Sequence, residues 1–149
     1  MLDRPVSSGT VQGRYDLDAQ IGFVLRRAHQ RATAIFTGYF KEANLSPVQF
    51  AALIKVRDEG QVSQNKLGRL ISIDPATIMG VISRLVDRGL ICRLPDPVDR
   101  RRTMLSITPA SLQLLKSCES IGLEVSRVTL NNLSPDEQET LRNLLAKIV

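Results

Sequence analysis

The sequence predicts a mainly α-helical fold with one small β-hairpin, in which three short helices and the hairpin are flanked by longer helices. Two observations carry this prediction. Apolar residues recur at three- and four-residue steps over most of the 149 residues, which indicates amphipathic helices. After Gly89 the period switches to two in the segments 90–94 and 103–107, which indicates a pair of strands around a charged loop.

The composition is that of an ordinary globular protein. Hydrophobic residues make up 43% and charged residues 23% of the chain, which excludes general disorder. A run of about 18 uncharged apolar residues is missing, so no membrane span is expected. The N-terminus lacks the apolar core of a signal peptide, and we therefore expect a cytoplasmic protein in which Cys92 and Cys118 stay reduced.

The N-terminal part divides into an arm and a long helix. Residues 1–15 combine proline, glycine and serine without an apolar period, and we expect a flexible arm. From Asp16 to about Ala43 the pattern is helical, which predicts a helix of roughly 27 residues and about 40 Å. A helix of this length extends beyond a domain this small, so residues 16–44 are predicted to contact a second subunit.

Three shorter helices follow, each preceded by a residue that favours helix starts. Ser46 and Asp74 stand directly before prolines, and Ser63 precedes the short middle helix. With the two strands these helices form a predicted unit over residues 45–108. Residues 109–149 hold two more helices, the second with a predicted capping box at its start, and are predicted to take part in dimerisation.

Positive charge is concentrated in the first two-thirds of the chain, which has a net charge of +5. Residues 1–102 contain 16 Lys and Arg against 10 Asp and Glu, whereas residues 103–149 contain 4 against 5. This asymmetry favours a polyanionic partner for one part of the chain.

The order of three short helices and a hairpin is that of a winged helix-turn-helix. An α-helix about 10–12 Å wide fits the major groove of B-DNA. The helix that starts at Asp74 carries small or weakly polar side chains and then an arginine, which allows its backbone to approach base edges and phosphates. The predicted major-groove contacts are Pro75, Ala76, Thr77, Met79, Gly80, Ser83 and Arg84.

The loop between the two strands carries three consecutive arginines, Arg100, Arg101 and Arg102. A narrow minor groove concentrates negative potential and attracts such side chains, so this tip is the second predicted DNA contact. Taken alone, a small-residue helix face is commonly a packed surface, and an arginine-rich loop is commonly a solvated one. Their order and spacing together favour DNA binding.

The run from Asp74 to Ile91 (DPATIMGVISRLVDRGLI), followed by DPVDRR over residues 96–101, resembles the recognition helix and wing of the MarR family of bacterial transcriptional regulators. The flanking helices fit as well, so the resemblance covers about residues 16–149. It implies a homodimer whose first and last two helices interlock over a palindromic operator in double-stranded DNA. It also implies that Asp99 contributes to the DNA-binding wing, in a salt bridge with Arg101 that fixes the wing's shape.

Members of this family often release DNA when a small phenolic or aromatic acid binds beside the dimerisation helices. In this chain a cation, an imidazole and a hydroxyl lie at i, i+3 and i+7 on the first helix, and two aromatic rings continue the line. This set suits a carboxylated ring such as a hydroxybenzoate or hydroxynicotinate. The alternative is that the polar line faces solvent or the dimer seam. The predicted ligand contacts are Arg26, His29, Thr33, Phe36 and Phe40, with Arg14 and Tyr15 closing the pocket.

Other functions have weaker support. A redox-responsive or ligand-independent regulator of the same fold is an alternative, although the resemblance places a reactive cysteine near the start of the first helix, where this chain has none. Cys92 and Cys118 have the pattern of small core residues. One histidine and scattered carboxylates predict no metal site and no cofactor. The sequence lacks a phosphate loop or nucleophile elbow, which argues against an enzyme. A winged helix that binds only proteins would not need three consecutive arginines.

Overall fold

The computed structural model describes residues 13–149 and confirms the mainly helical fold class. The predicted arm over residues 1–15 lies outside the described residues except for 13–15, which form neither helix nor strand. In chain order the elements are α1 (Ile21–Tyr39), α2 (Pro47–Glu59), β1 (Gln61–Ser63), α3 (Gln64–Leu70), α4 (Pro75–Asp87), β2 (Ile91–Pro95), β3 (Thr103–Ile107), α5 (Pro109–Thr129) and α6 (Pro135–Leu145).

Helix α1 is shorter than predicted, with 19 residues where the sequence suggested a helix over about 16–43. Ahead of it, Asp16 Oδ1 accepts the backbone amide of Asp18 at 3.1 Å. Such a local bond competes with helix formation, which explains the late start. Behind it, residues 40–43 form turns and Asn44 takes a positive φ of 50°, so the chain leaves the helical path before α2.

The predicted helix starts are confirmed at α2, α3, α4, α5 and α6. In each case a side-chain oxygen accepts the backbone amide three residues later, which satisfies a donor that a helix N-terminus leaves unpaired. Proline occupies the first helical position in four of these helices. The predicted capping box between Ser134 and Glu137 is also present. The capping residues are Ser46, Ser63, Asp74, Thr108 and Ser134.

The predicted hairpin is part of a three-stranded antiparallel sheet with the order β1-β3-β2. Strands β2 and β3 pair from Ile91 with Ile107 to Pro95 with Thr103. Strand β1, which the sequence analysis missed, pairs with the other edge of β3. Three residues are too few to show a period of two, so only the fold reveals this strand.

One hydrophobic core joins α2, α3 and α4 to the sheet and extends to α1 and α5. The face of α4 opposite the predicted DNA contacts is buried, with Ile78, Val81, Ile82 and Leu85, and Val86 packs half-buried against it. At the end of α1 the rings of Phe36 and Phe40 stack with centroids 3.9 Å apart, and Phe40 lies 4.8 Å from Phe50 of α2. This aromatic contact packs the end of α1 directly against the helix-turn-helix unit, residues 45–108.

Candidate functional site

Helix α4 presents its small-residue face to solvent. Met79, which an ordinary core helix would bury, has 56% of its surface exposed. Such a face, followed by an arginine, allows close approach to base edges and phosphates. Of the predicted contacts, Gly80 is half-buried, and the exposed residues are Pro75, Ala76, Thr77, Met79, Ser83 and Arg84.

The start of α4 is fixed by Asp74. Its Oδ1 accepts the amide of Thr77 at 2.9 Å. Hydrogen bonds from the side chain and the amide of Thr77 lower the pKa of the Asp74 carboxyl. The carboxylate also lies at the positive end of the helix dipole, which favours its charged form. This cap therefore orders the first turn, in which Pro75, Ala76 and Thr77 lie.

Replacing Asp74 with Asn is expected to remove a pH-dependent part of the stability. Because folding lowers the pKa of this carboxyl, its stabilisation is fully present above the ordinary aspartate pKa of about 3.9 and is lost as the pH falls through the lower folded value. The urea midpoint of Asp74→Asn should be below that of the wild type at about pH 7, and the two should converge as the pH falls below the lowered folded pKa of Asp74. A difference that stays constant with pH would contradict this account.

The wing, formed by β2, β3 and residues 96–102 between them, has a tip organised by two aspartates. Asp96 Oδ1 accepts the amides of Val98 at 2.8 Å and Asp99 at 3.3 Å, and Asp99 Oδ1 accepts the amide of Arg101 at 3.0 Å. The predicted salt bridge between Asp99 and Arg101 is wrong, because no ion pair joins these two described side chains. In a tight turn the backbone amide two residues on is the nearer donor.

The three arginines Arg100, Arg101 and Arg102 are exposed at this tip. Among residues 13–149 none of the ion pairs involves them. The pKa of Asp96 is lowered first by the backbone amides of the loop and then by the charge of Arg102. The carboxylate thus stays ionised at neutral pH and orders the loop that carries the three solvated cations. A positively charged tip whose backbone is held in one shape is complementary to the negative potential of a DNA groove.

A polar notch of about 290 Å³ lies between the base of the wing and α3. Arg102 and Thr103 contribute from the wing, and Gln64, Asn65 and Arg69 contribute from α3. The sequence analysis missed these three residues of α3, although the polar pair Gln64 and Asn65 directly after the Ser63 cap was a visible signal for the first two. The position of Arg69 beside Arg102 extends the basic surface from the wing onto α3.

A separate cavity of about 430 Å³ lies between α1, α5 and α6, which is the size of a small-molecule site. Pro47, the first residue of α2, also lines it, so the cavity reaches the helix-turn-helix unit. Its polar groups come from three helices, and its other walls are apolar. The remaining lining residues are His29, Ala32, Thr33 and Phe36 of α1, Val125, Ser126 and Thr129 of α5, Leu130 after it, and Arg142 of α6.

The structure brings three of the predicted ligand contacts, His29, Thr33 and Phe36, to this cavity. Phe40 is 1% exposed and lies behind Phe36 in the core. Arg26 is one helical turn before His29 and outside the lining, with its guanidinium 5.2 Å from the centroid of the neighbouring Phe23 ring.

Arg14 and Tyr15 also lie outside the cavity lining. They precede the turn ahead of α1, and Tyr15 is 73% exposed. The sequence analysis missed Ser126, Thr129 and Arg142. The signal for Arg142 was a lone cation among the leucines of the last helix, but its direction depends on how α6 packs.

Both cysteines lie in packed parts of the structure. Cys118 is 1% exposed, and burial raises the pKa of its thiol, which opposes thiolate chemistry. Cys92 is half-buried on β2, and its Sγ donates to the carbonyl of Ser106 at 3.5 Å. Within residues 13–149 no three His, Cys, Asp or Glu side chains are grouped to hold a metal ion. None of the described helices combines the length and apolarity needed to cross a membrane.

An exposed final helix in a helix-turn-helix unit, followed by a basic β-wing, defines a winged-helix DNA-binding fold. Comparison with known proteins agrees. The model of the MarR family matches residues 45–103, which hold α2 to α4 and most of the wing. The HTH-type transcriptional repressor NicR of Pseudomonas putida is 35% identical over 135 residues, which are 91% of this chain and 85% of NicR.

Two solved structures share the fold over most of the chain. A probable transcriptional regulator from Pseudomonas aeruginosa has a TM-score of 0.87 at 46% identity, covering 90% of this chain and 100% of that one. BpsR of Bordetella bronchiseptica, whose DNA binding is regulated by 6-hydroxynicotinic acid, has a TM-score of 0.87 at 34% identity, covering 91% of this chain and 97% of BpsR. The chain therefore belongs to the MarR family of transcriptional regulators, as its sequence predicted.

Proposed function

We propose that this protein is a homodimeric transcriptional repressor that binds a palindromic operator and releases it when a small aromatic acid occupies the cavity between α1, α5 and α6. The position of that cavity carries the proposal. Its lining joins α1, α5 and α6 to Pro47 at the start of the helix-turn-helix unit. A ligand in this cavity touches both the terminal helices and the helix-turn-helix unit, so its contacts change when these two parts move relative to each other. The ligand therefore stabilises one arrangement of the two parts over the other.

The DNA-binding part rests on α4 and the wing. Helix α4 offers its exposed face from Pro75 to Arg84 to the major groove, and Arg100, Arg101 and Arg102 reach a neighbouring minor groove. Neutralising phosphates with arginine releases counterions, so operator affinity should fall steeply as salt is raised.

The dimer is supported by apolar surface on the terminal helices. Ile21 of α1, Leu144 of α6 and Ile148 after it are each more than half exposed. A largely apolar cleft of about 490 Å³ also lies between α1, α6 and the connection from α5 to α6. Apolar surface of this kind commonly marks a protein interface. We therefore assign residues 16–44 and 109–149 to dimerisation, and residues 45–108 to DNA binding at half-sites about 34 Å apart.

The ligand class follows from the chemistry of the cavity. Arg142 supplies a fixed positive charge, His29 and Thr33 supply hydrogen-bonding groups, and Phe36 adds an aromatic wall. A guanidinium binds a carboxylate strongly, and an apolar cavity of this size accommodates one substituted ring. A hydroxynicotinate or hydroxybenzoate fits both requirements, and the similarity to BpsR supports this class.

The test is a fluorescence-anisotropy titration of the protein on the intergenic duplex upstream of its own gene, with and without a panel of aromatic acids. A scrambled duplex of equal composition is the control. We expect preference for the natural duplex, a dimer mass by light scattering, and release by one acid. Equal affinity for both duplexes contradicts operator binding at this locus. Tight binding that no acid reverses contradicts only the effector assignment.

A further inference from the structure

We propose that Arg88 is a positioning residue that holds the recognition helix α4 to the end of α1 and, through it, to the wall of the cavity. This inference rests on the proposed function, because it names the connection through which the cavity and the DNA-binding face act on each other. Neither the sequence pattern nor the charge of Arg88 distinguishes it from the arginines assigned to DNA.

The side chain of Arg88, the residue directly after α4, is turned back onto the protein. Its Nη1 donates to the carbonyl of Asn44 at 2.6 Å, and its Nη2 donates to the carbonyl of Ala43 at 3.1 Å. Both acceptors lie in the connection between α1 and α2. A planar guanidinium that donates to two successive carbonyls fixes both distance and direction, which a lysine ammonium cannot reproduce.

The same connection leads back to the cavity. Phe36 lines the cavity and stacks on Phe40 with ring centroids 3.9 Å apart. The carbonyl of Phe40 accepts the amide of Asn44 at 3.0 Å, and the carbonyl of Asn44 accepts Arg88. A continuous series of direct contacts therefore joins the cavity wall to the C-terminal end of α4. A shift of the Phe36 ring is expected to move the carbonyls that hold the recognition helix.

Arg84 is the natural comparison, because it lies one turn earlier on the same helix. Both arginines are exposed, and no described residue within 13–149 forms an ion pair with either, so they differ in their hydrogen bonds. Arg84 is thus available for a phosphate or a base, whereas both terminal nitrogens of Arg88 are already engaged with backbone carbonyls. The two arginines should behave differently when either is removed.

The first experiment measures operator affinity by anisotropy over about 50–300 mM salt for the wild type, Arg88→Ala, Arg88→Lys and Arg84→Ala. Arg88→Ala should weaken binding by about tenfold while keeping the wild-type salt slope, since no phosphate contact is lost. Arg88→Lys should weaken binding nearly as much, because it keeps the charge and loses the paired donors. Arg84→Ala should reduce the salt slope by about 0.9. Wild-type affinity in Arg88→Lys, with a reduced slope in Arg88→Ala, would make Arg88 a phosphate contact and overturn the proposal.

The second experiment is a double-mutant cycle between Phe36→Leu and Arg88→Ala, again on operator affinity. Phe36→Leu should change operator affinity by about threefold in the wild-type background. In the Arg88→Ala background the same substitution should change the binding free energy by less than about half as much. Effects that multiply independently overturn the connection. Circular dichroism checks folding, and Phe36→Met, which removes the stacked ring but keeps a large apolar side chain, replaces Phe36→Leu if that variant does not fold. Wild-type protein that does not prefer operator over scrambled DNA overturns the proposed function and this inference together, whereas failure of the Arg88 pattern alone leaves the proposed function intact.

Discussion

Arg101→Ala is expected to weaken operator binding by about 30-fold, which corresponds to roughly 2 kcal/mol and is typical of a good arginine contact with DNA. The guanidinium is exposed, and its backbone amide is held by Asp99 at 3.0 Å. Because Asp99 bonds to the amide and not to the guanidinium, the alanine variant keeps this bond and the shape of the tip. The loss therefore measures the guanidinium itself.

The measurement is anisotropy on the operator duplex at about 150 mM salt, with light scattering to show that the oligomeric state is unchanged. Arg127→Ala is the matched control, since it removes the same charge from α5, where the side chain pairs with Glu124. The control should bind operator as the wild type does. Equal affinities of Arg101→Ala and the wild type would remove the wing from the DNA interface, and an equal loss in Arg127→Ala would show an effect of net charge alone.

The features that the sequence predicted best depend on a few neighbouring residues. Ser46, Asp74 and Ser134 were identified as helix caps because a cap needs only its own side chain and an amide three residues later. The face of α4 was predicted equally well, since a buried stripe at a period of 3.6 leaves the opposite face to solvent. Both features depend only on segments of fewer than about fifteen residues.

The features that the sequence missed depend on distant partners or on competition between local bonds. Strand β1 exists because β3 offers it an edge, although residues 61–63 show no strand pattern. At the wing tip, Asp99 had two possible donors in Arg101, and only the folded turn shows that the amide is used. The first helix was predicted from Asp16 but begins at Ile21, because the Asp16 carboxylate bonds locally to the amide of Asp18. In the cavity, Arg142 replaces Arg26 because the packing of α6 places it there.

Both kinds of information meet in the cavity between α1, α5 and α6, which is the site proposed for the effector. The sequence predicted a polar line on α1, and two members of that line, His29 and Thr33, do line the cavity. The sequence analysis placed the cation, Arg26, on α1 as well, whereas the cation that lines the cavity is Arg142 of α6. A ligand bound by His29 and Arg142 would span α1 and α6, so the cavity can respond to the arrangement of these helices.

Arg142→Ala is expected to raise the concentration of 6-hydroxynicotinic acid that half-releases the operator by about 30-fold, while operator affinity without the acid stays at the wild-type value. The reason is that Arg142 is the only guanidinium in the described lining, and a charge-assisted bond to a carboxylate contributes about 1.5–3 kcal/mol. The measurement is the anisotropy of a preformed operator complex during titration with the acid. 6-Hydroxynicotinamide, which differs from the acid only at the carboxylate, should release the operator from neither the wild type nor Arg142→Ala.

Arg26→Ala is the matched control, because it removes the same charge from the position that the sequence favoured and the cavity excludes. It should respond to the acid as the wild type does. If Arg26→Ala loses the response and Arg142→Ala keeps it, the acid binds nearer the start of α1, and the polar line through Arg26, His29 and Thr33 is the site. His29→Ala should blunt the response in either case, since His29 belongs to both arrangements. The arginine pair therefore decides where the carboxylate lies.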